Sequence, residues 1–140
     1  MSADISNEPC PCGGGLFTRC CQPILREHSK AQTAEQLMRA RYTSFCKQDL
    51  DFLLKSYLTT KPKETIITNF NKMFRERSWV RLEIQECVDG LASDQTGIVQ
   101  FLAVYTTHDD PETEQWAHER SSFTKEEDGC WYFRSSERPT

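Results

Sequence analysis

Four cysteines fall within twelve residues in "CPCGGGLFTRCC", residues 10 to 21, as Cys10 and Cys12 on one side of a glycine run and Cys20 and Cys21 on the other. No other stretch constrains the folding of this chain as strongly. A disulfide needs Cα atoms about 4.4 to 6.8 Å apart in a set orientation, so bridges from Cys10 to Cys12 or from Cys20 to Cys21 would be badly strained. One Zn2+ ion asks for something easier. Four thiolates at about 2.3 Å close a tetrahedral shell, and the chain folds around the ion. Gly13, Gly14 and Gly15 allow the sharp turn and bring backbone N–H groups toward sulfur. Arg19 and Arg26 are the candidates to offset the site's net negative charge.

Such a segment buries too little apolar surface to fold alone, and zinc supplies about 10 kcal/mol or more of apparent folding energy in comparable stubs. Two readings compete. A redox couple would need depressed thiol pKa values at a helix N-terminus, and a nest of unmetalled thiols would need no partner at all. A closed four-sulfur shell leaves no open position for substrate, so the segment is expected to be structural or a docking platform. His28 is a reserve ligand should one cysteine lie out of reach, but reads first as a surface histidine. Cys46, Cys87 and Cys130 are scattered and read as buried or half-buried small hydrophobes.

The rest of the composition narrows the setting. With 140 residues, 37% apolar and 27% charged, the chain suits one globular domain with a small appendage. A formal charge of -4 argues against a generic nucleic-acid binder. No apolar run approaches the ~18 to 20 residues that cross a bilayer. The opening "MSADISNEPC" lacks a signal peptide's apolar core. The expectation is a reducing, cytoplasmic compartment, where clustered cysteines bind metal rather than pair.

Residues 1–9 read as a disordered polar tail, 10–30 as the loop-like cysteine segment and 31–136 as the main domain, with "SERPT" frayed at the end. Thr33 with Gln36 makes a capping-box pattern ahead of Leu37, Met38, Tyr42, Phe45 and Cys46, the stripe of an amphipathic helix. Asp49 caps a second helix carrying Leu50, Leu53, Leu54 and Tyr57. Pro62 sits in the first turn of a third, with Ile66, Ile67, Phe70, Met73 and Phe74 buried. After Ser78 the period drops to two: Val80, Leu82, Ile84 and Val88 alternate with Arg81, Glu83, Gln85 and Cys87. "GIVQFLAVYTT" reads as a central strand, and "EQWAHERSSF" and "GCWYFRS" as two more. Helices followed by an antiparallel meander make an α+β architecture.

Three segments, in order, resemble a known family. "CPCG" followed by "CC" is similar to the SEC-C motif, a small zinc-binding segment; "EQLMRARYTSF" and "HERSSFTKEEDGCWYF" are similar to the marks of the YchJ family. The resemblance implies a zinc knuckle ahead of a cone-shaped α+β domain, the fold shared with nuclear transport factor two and ketosteroid isomerase, in which three N-terminal helices pack on a curved antiparallel sheet. Two departures stand out. The stretch from Cys12 to Cys20 is one residue shorter than the motif's usual spacing, which bears on ligand geometry, and "GGGL" lacks the usual lysine.

A conical sheet encloses a pocket that is a binding site, an active site or packed core. The candidates to line it are Arg41, Tyr42, His118, Glu119 and Ser121, with Arg120 and Ser122 as their neighbours. Strand alternation puts His118, Arg120 and Ser122 on one face and Glu119, Ser121 and Phe123 on the other, so they cannot all share one pocket. The leading expectation is a zinc-binding SEC-C protein acting as an interaction module, with a protein partner docking through the cysteine segment. The alternative is a small-molecule binder or proton-transfer enzyme using the cone, with Glu119 or His118 as base and Tyr42 as donor. Against that enzyme stands a plain structural role: Glu119 paired with Arg41 or Arg120, and Tyr42 a core aromatic. An open cone with Glu119 or His118 aimed inside favours the small ligand; a filled cone with an apolar rim near the cysteines favours the protein partner. A homodimer through the open sheet face is a further expectation; membrane and direct nucleic-acid contacts are not expected.

Overall fold

The computed structural model describes residues 7–139. Among these residues four α-helices precede four strands: α1 (Cys21–Arg26), α2 (Ala34–Lys47), α3 (Leu50–Lys55), α4 (Lys63–Glu76), then β1 (Arg77–Asp89), β2 (Thr96–Thr107), β3 (Gln115–Lys125) and β4 (Trp131–Glu137). The strands form one antiparallel sheet in the order β1-β2-β3-β4. This is the expected α+β cone, with α2, α3 and α4 as its three helices. No helix among the described residues is long and apolar enough to cross a membrane.

The helix boundaries have local causes. Thr33 Oγ1 accepts from Gln36 N at 3.1 Å, and Asp49 Oδ1 accepts from Phe52 N at 3.1 Å. Each satisfies one orphan N–H at a helix start and is worth about 1 kcal/mol. Pro62 is the residue just ahead of α4. Helix α2 ends at Gln48, whose φ of 57° breaks the helix before α3 begins. At the far end, Ala34 N donates to Gly90 O at 2.9 Å, and a Cβ on Gly90 would sit 2.8 Å from Ala34 Cβ. With φ at +75°, only glycine suits that approach of the β1–β2 turn to α2.

The sheet departs from the expected alternation in β1. Register shifts interrupt its pairing with β2 between Trp79 and Arg81 and between Ile84 and Glu86. Each bulge moves the pleat on by one residue. Trp79, Leu82 and Ile84 therefore pack on the core, whereas Val80 is 46% exposed and Val88 pairs across to Ile98 on the outer face. Alternation in β2 buries Val99, Phe101 and Ala103 under the helices. Strand β4 begins at Trp131 and continues to Glu137, past the point where fraying was expected.

The cysteine segment is not loop throughout. It holds a 3-10 turn at Phe17–Arg19, helix α1, and a second 3-10 turn at His28–Lys30. Glu8 and Pro9, expected in the tail, are held: Phe17 N donates to Glu8 O at 2.9 Å and Pro9 bridges to Leu16. Residues 1–6 of the expected tail lie outside the described residues. Cys10, Cys12, Phe17, Cys21 and Ile24 share one buried cluster with Leu37, Phe52, Phe101 and Trp131. The segment and the cone thus have a common core. Large side chains there, Trp131 and Phe52 among them, each contribute about 1.5 to 3 kcal/mol of burial.

Candidate functional site

The four sulfurs converge. Cys12 Sγ lies 3.4 Å from Cys20 Sγ and 3.7 Å from Cys21 Sγ, and Cys20 and Cys21 are 3.9 Å apart at sulfur. With Cys10 included, all four lie within 4.8 Å of one another. A tetrahedron with legs of 2.3 Å has edges of ~3.8 Å, so one ion of zinc's size fits the centre. The shortened spacing is absorbed by the glycine turn, where Cys10 N donates to Gly15 O at 2.7 Å and Gly13 N to Cys10 O at 2.9 Å. A Cβ on Gly14 would meet Cys20 Sγ at 3.0 Å and Cys12 Sγ at 3.2 Å. The backbone passes that close to sulfur because Gly14 has no side chain.

The electrostatics of the cluster call for a cation. Hydrogen bonds from Cys12 and Cys21 pull the Cys10 thiol far down. Desolvation, with Cys12 adding to it, pushes Cys20 up to about 12. Cys21 is driven far above the ordinary thiol range, first by its bond to Cys10. One thiolate is carried on its neighbours' protons; four thiolates this close need a metal ion among them.

The supporting groups come from α2. Thr43 Oγ1 donates to Cys21 Sγ at 3.3 Å and lies 3.7 Å from Cys10 Sγ. Arg39 Nη1 donates to Cys12 O at 2.9 Å and stands 3.7 Å from Cys12 Sγ, while its Nε donates to Glu35 Oε2 at 2.8 Å. Arg39 takes the charge-balancing place expected of Arg19 and Arg26, which are both exposed. Glu35, Arg39 and Thr43 recur every four residues on one helical face, a spacing that marks them out. His28 stands apart from the sulfurs. Its Nε2 donates to Trp131 O at 2.6 Å, and its ring meets Phe52 and Tyr132 edge-on. Cys46 and Cys130 are half-buried as expected, but Cys87 is exposed: after the second bulge it pairs with Val99 on the helix side of the edge strand β1, with Glu35 Oε1 3.4 Å away.

Behind α2 the cone is hollow. A cavity of about 240 Å3 lies between the helices and the sheet, walled by Met38, Phe45, Ile66, Phe70, Trp79 and Phe133. Arg41, Tyr42, Glu119 and Ser121 border it as well. His118 does not; it lies on the outer sheet face, where its Nε2 donates to Gln85 Oε1 at 2.8 Å. Arg120 shares that face and reaches Glu86 and Gln100, and Ser122 pairs there with Ile98. The pleat sends odd-numbered positions of β3 inward, so a His–Glu dyad from 118 and 119 cannot form.

Arg41 is 4% exposed. Its Nη1 donates to Leu53 O at 2.9 Å and Ser56 Oγ at 2.7 Å, and its guanidinium stands 4.6 Å above the Phe133 ring. Burial pulls its pKa down, to about 9, which leaves it charged at neutral pH. Burial also raises the Glu119 carboxyl, against the opposing pull of Arg77 and Arg41. Among the described residues Glu119 has no salt bridge within 4.0 Å; Arg120 pairs with Glu86 instead. The expected Glu119 ion pair with Arg41 or Arg120 is therefore not formed. Charges of opposite sign face the cavity without touching.

Comparison with known proteins finds relatives that cover nearly the whole chain. Residues 33–136 match the family described as YchJ, middle NTF2-like domain. A UPF0225 protein of Sodalis glossinidius is 36% identical over 127 residues, covering 89% of this chain and 80% of that protein. Another from Photorhabdus laumondii is 33% identical over 133 residues, covering 94% and 82%. Among solved structures, a SEC-C motif containing protein from Rhodopseudomonas palustris superposes with a TM-score of 0.79 at 27% identity, over 95% of this chain and 100% of that one. A second, from Psychrobacter arcticus, gives 0.72 at 26% identity, over 97% and 85%.

Proposed function

The chain belongs to the YchJ family, and from that footing we propose that it is a zinc-folded protein that binds a small molecule in its cone. Zinc is the ion that four clustered thiolates and a closed tetrahedral shell suit best, and it has no redox chemistry of its own. Its part here is structural: it joins the segment around Cys10, Cys12, Cys20 and Cys21 to α2. Bound zinc supplies the positive charge that lets all four sulfurs stay deprotonated.

The observation that carries the binding role is the hollow cone itself. An apolar cavity with a few convergent polar groups is the usual form of a small-molecule site. This one holds Glu119 and a deeply buried Arg41 that no carboxylate neutralises within 4.0 Å among the described residues. A protein partner docking through the cysteine segment has less support, since Leu16 is the one large exposed hydrophobic there among the described residues.

A thermal-shift screen of small amphiphiles against the zinc-loaded protein tests the reading, repeated on Ala103→Leu, which adds bulk to the cavity wall. Compounds that raise the melting temperature of the wild type should lose that effect in the variant. Equal shifts in both proteins would place binding elsewhere and overturn the reading.

A further inference from the structure

Taking the cone as the ligand site, we infer that its ligand is a small amphiphilic acid, with its carboxylate set against Arg41 and its apolar body among Phe45, Ile66, Phe70 and Trp79. Cations outnumber anions in the lining. Arg41 offers Nη1 to Leu53 and Ser56, and among the described residues its other guanidinium nitrogens have no hydrogen-bond partner. Arg77 borders the same space, its guanidinium 4.3 Å from the Tyr105 ring centre and 5.7 Å from that of Trp79. The Trp79 ring lies in the wall, and its buried Nε1–H finds no acceptor among the described residues. Lys61 borders the cavity as a further cation. Among the described residues one carboxylate, Glu119, stands against these three cations.

A buried guanidinium without a counter-ion is an unsatisfied charge, and a planar carboxylate is the group whose geometry answers it. Glu119 does not oppose this arrangement when protonated, because a neutral carboxyl donates its O–H to an incoming carboxylate. Burial favours that protonated form. A cationic or neutral head would leave Arg41 as it stands and add nothing to it. Size bounds the rest. A cavity of about 150 Å3 holds a benzene ring, so 240 Å3 holds roughly ten heavy atoms. Octanoate has that size and that chemistry.

The test compares octanoate, 1-octanol and octylamine on zinc-loaded protein at pH 7, by calorimetry with amide chemical shifts to locate the site. Octanoate should bind at least about tenfold tighter than 1-octanol, the advantage of one charge-assisted pair, and octylamine weakest. In Arg41→Met the octanoate advantage should vanish while 1-octanol still binds. If that variant does not fold, the wild-type series with Arg77→Gln, which keeps the interior bonds of Arg41, decides the matter. Equal affinity for octanoate and 1-octanol, or tighter octylamine, overturns the acid while the cone remains a ligand site. Binding of none of the three with shifts in the cone overturns the ligand-site reading as well.

Discussion

Arg41 and Thr43, two residues apart on α2, face opposite ways: the Thr43 hydroxyl donates to Cys21 Sγ at 3.3 Å, and the Arg41 guanidinium stands 4.6 Å over Phe133 inside the cone. Residues at i and i+2 on a helix do not share a face. One helix therefore borders both the sulfur cluster and the cavity, and a shared core joins them.

Stripping zinc should act on both sides of α2. Chelation under reducing conditions is expected to lower the melting temperature by at least about 10 °C, since metal binding is folding energy for such a segment. Hydrogen exchange should show lost protection in α2 as well as in residues 8–30. Protection lost only in the segment, with α2 unchanged, would mean that the two parts are uncoupled.

Gly14→Ala isolates the packing of sulfur. The added Cβ would lie 3.0 Å from Cys20 Sγ and 3.2 Å from Cys12 Sγ, closer than ordinary contact. The expected result is a folded protein whose zinc affinity falls about tenfold or more, the range seen when groups around a metal shell are disturbed. Competition with a chromophoric chelator measures it.

Glu119→Gln should raise the melting temperature at neutral pH by roughly 2 to 4 °C. The sign follows from burial, which holds the folded-state pKa of this carboxyl above its ordinary value. Stability from such a group is present below the unfolded pKa and is lost as pH rises through the folded one. At neutral pH this buried carboxyl costs stability whether it ionises or keeps its proton, and glutamine removes that cost. The groups facing it are Arg41 from α2 and Arg77 at the start of β1, whose attraction offsets part of that cost. The gain should shrink toward pH 4; a gain independent of pH would point to packing instead.

His28 gives a pH dependence in the other direction. Burial between α3 and β4, with Lys55 and Arg41 adding to it, lowers its folded-state pKa below the ordinary 6.5, although Trp131 O and Asp128 oppose the shift. Stability present above the unfolded pKa is lost as pH falls toward the folded one. Between pH 6.5 and 5 the wild type should therefore lose stability faster than His28→Gln. Subtracting the two melting curves removes the acid sensitivity of the thiolates, which both proteins share. Parallel curves would contradict the assignment.

What could be read from the chain divides along physical lines. The caps at Thr33 and Asp49 were legible because a helix start is a local matter of one side chain and one N–H. The sulfur cluster was legible because few arrangements satisfy four close thiols. The bulges in β1 were not, since no residue type there announces an extra backbone position, and so Val80 and Val88 were expected on the wrong face. Alternation alone separated Glu119 from His118, but it could not say which face lay inside. Arg39 was missed for another reason: charge was sought near the cysteines in sequence, whereas the compensating guanidinium arrives from α2, twenty-seven residues along.

Native mass spectrometry of the reduced chain reads directly whether one ion joins Cys10, Cys12, Cys20 and Cys21. One zinc per chain is predicted for the wild type, with occupancy sharply reduced in Cys20→Ser at the same zinc concentration. A wild-type chain that stays metal-free in excess zinc, or a variant that holds zinc equally well, would contradict it.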